Sequence, residues 1–231
     1  MNQDKMWDYF QTEGRENFSG SHGRLEFLAR KLASNTKVLN IGIGNGYLET
    51  IAHAKGVDIH SLDPSEKAVS QIRQKLNLGE KVQTGYSQKI PFPGNFFDTV
   101  IMSEVLEHLN DETLDSTLSE VYRILQGDGM FIGTVPAREN LFASLTVCPD
   151  CGEKFHRYGH QQSFDVQRLS NILQQHGFAI HEVKETFFID WENTGLIRKM
   201  AGLIKKFLSW HNISVWGTNR NIYFSVRKIS R

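Results

Sequence analysis

Two hydrophobic periodicities alternate along the chain from Ser21 onward. Helical stripes, with apolar residues three and four positions apart, begin with Leu25, Leu28, Ala29 and Leu32. Short and nearly continuous apolar runs between the stripes predict buried strands, and they lie at residues 38–41, 57–62, 82–86, 97–102, 130–135 and 178–183. Because strands that alternate with helices form parallel βαβ units, the pattern predicts an α/β fold with a mainly parallel sheet between helix layers.

Further helical stripes follow the strands in order, and the final segment alternates as a last strand. We expect Pro64 at the first position of the helix after the second strand, since proline has no N–H to lose there. The stripes are Leu48, Ile51 and Ala52, then Val69, Ile72 and Leu76, then Leu114, Leu118, Val121 and Leu125, then Val166, Leu169 and Leu173, and the last strand carries Ile222, Phe224 and Val226.

A basic amphipathic helix is predicted at about residues 195–210. Its apolar face includes Leu196, Met200 and Phe207, whereas its lysines and arginines lie largely elsewhere. We interpret it as a packing helix with a solvated basic side. A helix that lies on a membrane surface, or against an acidic partner, is the alternative.

Composition and charge favour one globular domain over residues 1–231. The chain carries 26 basic and 26 acidic side chains, and 39% of its residues are apolar. This balance argues against a protein that mainly coats nucleic acid, because that function needs a basic excess. No apolar run approaches the roughly 18 residues of a membrane span, and the first residues lack a secretory pattern, so we expect a cytoplasmic protein, with peripheral membrane contact as an open possibility.

A glycine-rich turn follows the first predicted strand. Gly42, Gly44 and Gly46 allow a ligand to approach the backbone without a Cβ clash, and Asp63 ends the next strand, where a carboxylate accepts hydrogen bonds from ribose hydroxyls. A dinucleotide-binding loop has a further glycine where Tyr47 stands, so the turn fits an adenosine-containing ligand better than a dinucleotide. A tight turn with no ligand is the alternative.

Four segments in order, VLNIGIGNG, HSLDPSEKAV, GYSQKIPFPGNFFDTVIMSEVLEHL and EVYRILQGDGMFIGTVP, resemble successive motifs of class I S-adenosylmethionine-dependent methyltransferases. The resemblance implies a Rossmann-like sheet of seven strands with the last strand antiparallel, and methyl transfer from S-adenosylmethionine. It also implies that Gly42, Gly44 and Gly46 lie beneath the amino-acid part of the cofactor and that Asp63 holds its ribose.

Residues 21–109 are similar to the ubiquinone-biosynthesis O-methyltransferases. This similarity implies cofactor contacts for Arg24 and for Ser103, which follows the fourth strand. Many relatives have Gly-Asp-Ala where this chain has Gly85, Tyr86 and Ser87, so the carboxylate that would accept a hydrogen bond from the adenine amino group is absent. We expect Tyr86 to stack on the adenine or hydrogen-bond to it, and we include Ser87 among the cofactor-binding residues.

The loop at about residues 137–162 holds a candidate metal site. Cys148, Cys151, His156 and His160 have the spacing C-x2-C-x4-H-x3-H, and two thiolates with two imidazoles satisfy tetrahedral zinc. Four protein ligands leave no open coordination position, so we expect a structural zinc, about one per chain. A redox thiol pair, or cysteines without a joint role beside substrate-binding histidines, are the alternatives.

The predicted activity is methyl transfer to a small molecule or to a glycan or lipid-linked acceptor, at oxygen or nitrogen, with no nucleic-acid partner. His108, just beyond the fourth strand, and His160 are the candidate general bases, although a structural role suits His108 and metal ligation suits His160. Two rival hypotheses are an NAD(P)-dependent oxidoreductase, which the tyrosine at position 47 disfavours, and a methyltransferase-like module that binds the cofactor without turnover.

Overall fold

The computed structural model describes Met6, residues 20–188 and residues 220–229. Within these residues the α-helices are α1 (His22–Arg30), α2 (Tyr47–Ala54), α3 (Glu66–Leu76), α4 (Asp111–Ile124) and α5 (Val166–Gln175). The strands are β1 (Lys37–Ile41), β2 (Asp58–Asp63), β3 (Val82–Thr84), β4 (Phe97–Ser103), β5 (Leu125–Pro136), β6 (Leu145–Val147), β7 (Lys154–His156), β8 (Phe178–Thr186) and β9 (Asn221–Lys228).

Seven of these strands form one sheet in the order β3-β2-β1-β4-β5-β9-β8. Strands β1 to β5 pair in parallel, whereas β9 runs antiparallel to both β5 and β8. The predicted α/β fold, with a mainly parallel sheet and an antiparallel last strand, is confirmed.

Helices cover both faces of the sheet, because neighbouring residues of each strand point to opposite faces. On β1, Val38 packs in a core with α1, α2 and α3, whereas Leu39 packs in a core with α4 and α5. Both residues are fully buried. The near-continuous apolar runs of the strands are therefore the consequence of two buried faces.

Several boundaries differ from those that the pattern predicts, and three of them bear on the motifs. Helix α3 begins at Glu66 after the N-cap Ser65, whose hydroxyl accepts a hydrogen bond from the Ala68 N–H, so Pro64 precedes the helix instead of opening it. Leu125, predicted on a helix, is the first residue of β5 and pairs with Phe97. Strand β3 ends at Thr84, two residues before the predicted end.

The long loop after β5 has structure of its own at the carboxyl edge of the sheet. It contains a 3₁₀ turn, Leu141–Ser144, and a hairpin of β6 and β7. Backbone N–H groups of Gln161 and Gln162 donate to the Glu107 carbonyl, which ties the loop to the chain after β4. The predicted basic helix at about 195–210 lies outside the described residues, and no helix among the described residues is long and apolar enough to span a membrane.

Candidate functional site

A cavity of about 300 Å³ lies at the carboxyl edge of the sheet, where β1 stands between β2 and β4. The chain leaves β1 and β4 in opposite directions along the sheet, and ligands of open α/β sheets bind at such a switch point. Every strand from β1 to β4 contributes the residues that follow it. The predicted residues that line the cavity are Arg24, Gly42, Gly44, Asp63, Ser87, Ser103 and His108.

Two glycines of the turn after β1 have different structural roles. Gly42 lines the cavity with φ of +92°, and a Cβ there would lie 2.8 Å from the Val105 side chain. Gly46 is the N-cap of α2, where a Cβ would lie 2.0 Å from Ile72 of α3. Gly46 therefore allows α3 to pack against the turn, and among the three predicted glycines it is the one outside the cavity lining.

Asp63 holds two backbone segments at the cavity wall. Its carboxylate is 1% exposed and accepts hydrogen bonds from the N–H of Ile43, at 2.7 Å, and from the N–H of Ser65, at 2.9 Å. Asp63 thus shapes the glycine turn and also lines the cavity.

Arg24 and Ser103 meet across 79 sequence positions. The Arg24 Nε donates to the Ser103 hydroxyl at 3.0 Å, and its Nη1 lies 3.7 Å from the Glu104 carboxylate. Glu104 has φ of +56° and accepts hydrogen bonds from the Asn221 amide on both oxygens. Sequence analysis missed Glu104 and Asn221, although the position of Glu104 directly after Ser103 was a signal for the first.

The segment after β3 supplies an aromatic side chain and a hydroxyl to the cavity. Tyr86 lines it and is 48% exposed. Ser87 is buried, and its hydroxyl shares a hydrogen bond with the Thr117 hydroxyl of α4 at 2.8 Å. The Ser87 side chain therefore links this segment to α4 as well as facing the cavity.

A buried carboxyl group lies beneath the glycine turn. Glu49 of α2 is fully buried, and one of its oxygens accepts hydrogen bonds from the Asn40 amide, at 2.6 Å, and from the Ser61 hydroxyl, at 2.9 Å. The Asn40 amide also donates to the Gly42 carbonyl. Burial raises the pKa of Glu49 from 4.5 to about 7.

We expect Glu49→Gln to flatten the pH dependence of stability. A raised pKa means that the folded protein holds the Glu49 proton more tightly than the unfolded chain does. The protonated Glu49 therefore contributes its full stabilisation below pH 4.5, and this contribution is lost as the pH rises through about 7. Integrated over that range, the contribution is about 3 kcal/mol. Urea unfolding of both proteins at pH 5 and pH 8 measures it, and an equal loss of stability in the two proteins would contradict the assignment.

A second buried carboxyl group lies beside the cavity in the 3₁₀ turn Leu106–His108. Glu107 is 1% exposed, and neither of its carboxylate oxygens receives a hydrogen bond from another described residue. Burial, together with the charge of Glu104, raises its pKa well above the usual range. The pKa of the neighbouring His108 lies well below its usual range because of burial and the proximity of His160.

The long loop brings His160 into this cluster. The His108 and His160 ring centroids are 4.5 Å apart, and the ligand atoms of Glu107, His108 and His160 all lie within 4.8 Å of one another. The His160 Nδ1 donates to the Glu139 carboxylate at 2.5 Å, which leaves Nε2 as the nitrogen with a lone pair. Sequence analysis missed Glu107 and Glu139, since no local spacing connects them to His160.

The predicted zinc set of Cys148, Cys151, His156 and His160 is not assembled. The cysteines lie in the turn between β6 and β7, whereas His156 ends β7 and His160 follows it. The extended strand separates the two pairs, and the metal-sized clusters among the described residues contain neither cysteine. The His156 Nδ1 accepts the N–H of His160, so the proton of a neutral ring sits on Nε2, 3.5 Å from Glu139.

Comparison with known sequences identifies one family. A family model described as a methyltransferase domain matches residues 15–183. A provisionally named methyltransferase of Bacillus subtilis, YrhH, is 35% identical over 105 residues, which make up 43% of this chain and 57% of that protein. This chain therefore spans little more than half the length of that relative.

Solved structures with the same fold cover nearly the whole chain. One of these structures is a complex from Haloferax volcanii between the Trm112 methyltransferase activator and a provisionally assigned methyltransferase. The matched chain has a TM-score of 0.70 at 18% identity, and the match covers 97% of this chain and 98% of that one. The N1-methyltransferase of Burkholderia thailandensis, solved with 1,6-didemethyltoxoflavin and S-adenosylhomocysteine, has a TM-score of 0.68 at 15% identity, with coverage of 99% and 88%. At these identities the likeness establishes the fold alone.

Proposed function

The chain belongs to the class I S-adenosylmethionine-dependent methyltransferases, and on this premise we propose that its acceptor is a small molecule or a glycan or lipid-linked compound, methylated at oxygen or nitrogen. The main support for the proposal is a cavity of about 300 Å³ that both the motif residues and His108 line. Methyl transfer needs the nucleophile within about 3.5 Å of the methyl group and away from water. A cavity that the motif residues share with His108 would bring the cofactor and the acceptor to that distance.

For the cofactor, we propose that the ribose hydroxyls donate to the Asp63 carboxylate. The place of Asp63 in the cavity wall, next to Gly42 and Gly44, supports this role. The Arg24–Ser103 pair and the turn at Gly42 and Gly44 would then contact the methionine end, and the adenine would lie beside Tyr86 and Ser87. Gly46 would act from below the turn, through its contact with α3.

For the acceptor, we propose that Glu107, His108 and His160 hold a divalent cation. The Glu107 carboxylate supports this, because a buried carboxylate without a hydrogen-bond donor is costly unless it is protonated or meets a cation. Two imidazoles and one carboxylate suit Mn²⁺, Fe²⁺, Co²⁺ or Zn²⁺. When bound, such an ion polarises a coordinated hydroxyl and lowers its pKa.

The surrounding residues are arranged to orient these ligands. Glu139 accepts from the His160 Nδ1, and the Gly159 carbonyl accepts a hydrogen bond from the His108 ring, which are the contacts that metal-bound imidazoles commonly make. The ligand atoms of Glu107, His108 and His160 all lie within 4.8 Å of one another. A general base at His108 or His160 is the alternative, and full activity after chelation would favour it.

The polar groups beyond the histidine cluster suit an acceptor with hydrogen-bonding groups. Asn110, Thr113 and Gln161 line this part of the cavity. The Gln161 amide nitrogen donates to the His108 carbonyl, which fixes the Gln161 side chain with respect to the cluster.

Zinc on the thiol pair Cys148 and Cys151, which is a separate proposal, would order the loop and would not take part in transfer of the methyl group.

The test is transfer of label from methyl-labelled S-adenosylmethionine to a fractionated cell extract. We expect the label in a low-mass or lipid-soluble fraction, with product heavier than its precursor by one methylene and S-adenosylhomocysteine formed in equal amount. The protein without extract, and extract without the protein, are the controls. Label confined to nucleic acid or to polypeptide would contradict the proposed acceptor class.

A further inference from the structure

The turn that joins β6 and β7 has the hydrogen bonds of a metal-binding turn. The Cys148 N–H donates to the Glu153 carbonyl, and the Gly152 N–H donates to the Cys148 carbonyl, both at 2.9 Å. Gly152 has φ of +73°, which closes the turn. The turn therefore holds Cys148 and Cys151 together at the tip of the hairpin.

This arrangement supplies two of the four ligands that a structural zinc requires. The chain contains two cysteines in all, and among the described residues no third histidine, cysteine or acidic side chain forms a metal-sized cluster with them. His156 and His160, which the sequence pattern grouped with the cysteines, instead contact Glu139 at the other end of β7. Cys151 is exposed and Cys148 is half-buried.

Exposed apolar side chains lie on the hairpin and beside it. Leu145 and Val147 of β6 are exposed, as are Tyr158 after β7 and Phe142 before β6, which is 84% exposed. Strands β6 and β7 form a two-stranded sheet of their own, so within the described part of the chain each has an outer edge without a strand partner. Exposed apolar groups next to open strand edges indicate a contact surface.

We propose that two copies of this chain join at the β6–β7 hairpin around one Zn²⁺, held by Cys148 and Cys151 of each copy. Four cysteine thiols give up four protons, and the ion receives four thiolates in a closed tetrahedral site. The hairpin carries both Asp150 and Glu153 and both Lys154 and Arg157, so a two-fold contact can pair opposite charges. The formal net charge of zero adds no overall repulsion between copies.

A second copy explains the two missing ligands and the exposed apolar side chains better than closure of the site within the chain. A two-fold axis through the ion doubles two ligands to four and at the same time covers the apolar side chains of both hairpins. The hairpin base carries His156 and is followed by His160, so the dimer would also order the loop that completes the histidine cluster.

Mass measurement by light scattering, together with metal analysis of untagged and reduced protein, tests the proposal. We expect a two-chain mass with about one zinc per two chains, and a one-chain mass after chelation. Protein loaded with Co²⁺ should show thiolate charge-transfer intensity for four sulfurs, which distinguishes this site from a two-sulfur site. Cys148→Ser and Cys151→Ser should each lose both the zinc and the dimer.

His156→Gln is the discriminating variant, since it removes a ligand of the within-chain set and none of the proposed set. We expect it to keep the two-chain mass and the zinc. Phe142→Ser should raise the dimer dissociation constant by about tenfold. The proposal is overturned by one zinc in a one-chain particle, by metal-free protein, or by a dimer that persists in Cys148→Ser. Cofactor binding is measured separately, so the proposed function can fail or hold independently.

Discussion

Asp63→Ala will weaken the binding of S-adenosylhomocysteine by about a hundredfold or more. The variant loses two charge-assisted hydrogen bonds to the ribose, each worth about 1.5 to 3 kcal/mol. It also leaves the N–H groups of Ile43 and Ser65 without the acceptor that now holds them at the cavity wall. Isothermal titration calorimetry measures the change.

Asp98→Ala is the matched control for this loss. The Asp98 carboxylate also accepts a backbone hydrogen bond, from the Lys37 N–H at 2.8 Å, but at the amino edge of the sheet and away from the cavity. We expect Asp98→Ala to cost stability and to leave S-adenosylhomocysteine affinity unchanged. A folded Asp63→Ala protein with wild-type affinity would remove Asp63 from the ribose site.

Glu107→Gln will abolish most divalent-cation binding at the histidine cluster, with an affinity loss of at least about tenfold. Glutamine keeps the shape of the side chain and removes its negative charge. Mn²⁺ titrated into chelator-treated protein is the probe, in a Cys148→Ser background so that the thiol pair does not contribute. Transfer of label to the extract acceptor should fall by about a hundredfold, while S-adenosylhomocysteine affinity stays unchanged.

Glu49→Gln provides the comparison, because it makes the same change at another buried carboxyl group. Glu49 is hydrogen-bonded by Asn40 and Ser61, whereas Glu107 receives no hydrogen bond from another described residue. Glu49→Gln should therefore leave Mn²⁺ binding intact. If Glu107→Gln also binds Mn²⁺ normally and retains activity, Glu107 is a neutral buried acid and a general base becomes the better explanation.

The order of strands and helices was predictable because the apolar pattern of each segment reflects which of its faces are buried. Val38 and Leu39 are apolar neighbours because the two faces of β1 are both covered. The closeness of most of the proposed cofactor residues was predictable for a related reason. Gly42 and Gly44 follow β1 and Asp63 ends β2 of a parallel sheet, so their closeness is a consequence of the βαβ connection and needs no information about distant contacts.

The predicted zinc set shows that spacing alone does not fix where side chains lie. C-x2-C-x4-H-x3-H fits a compact site only if the intervening residues form a turn. Residues Lys154–His156 instead pair with Leu145–Val147 as an extended strand, and extended backbone advances by about 3.3 Å per residue. The pairing of β7 with β6 thus carries His156 away from the cysteines and toward Glu139.

By itself, the sequence determined the α/β fold, the seven-strand sheet, the glycine turn and the acidic residue that ends β2, because periodicity and strand-end motifs depend on neighbours along the chain. Only the tertiary structure decided which distant groups meet. Glu107 and His160 belong to one cluster because the Gln161 and Gln162 N–H groups bind the Glu107 carbonyl. These contacts join backbone N–H and C=O groups, so no pattern of side chains in the sequence predicts them.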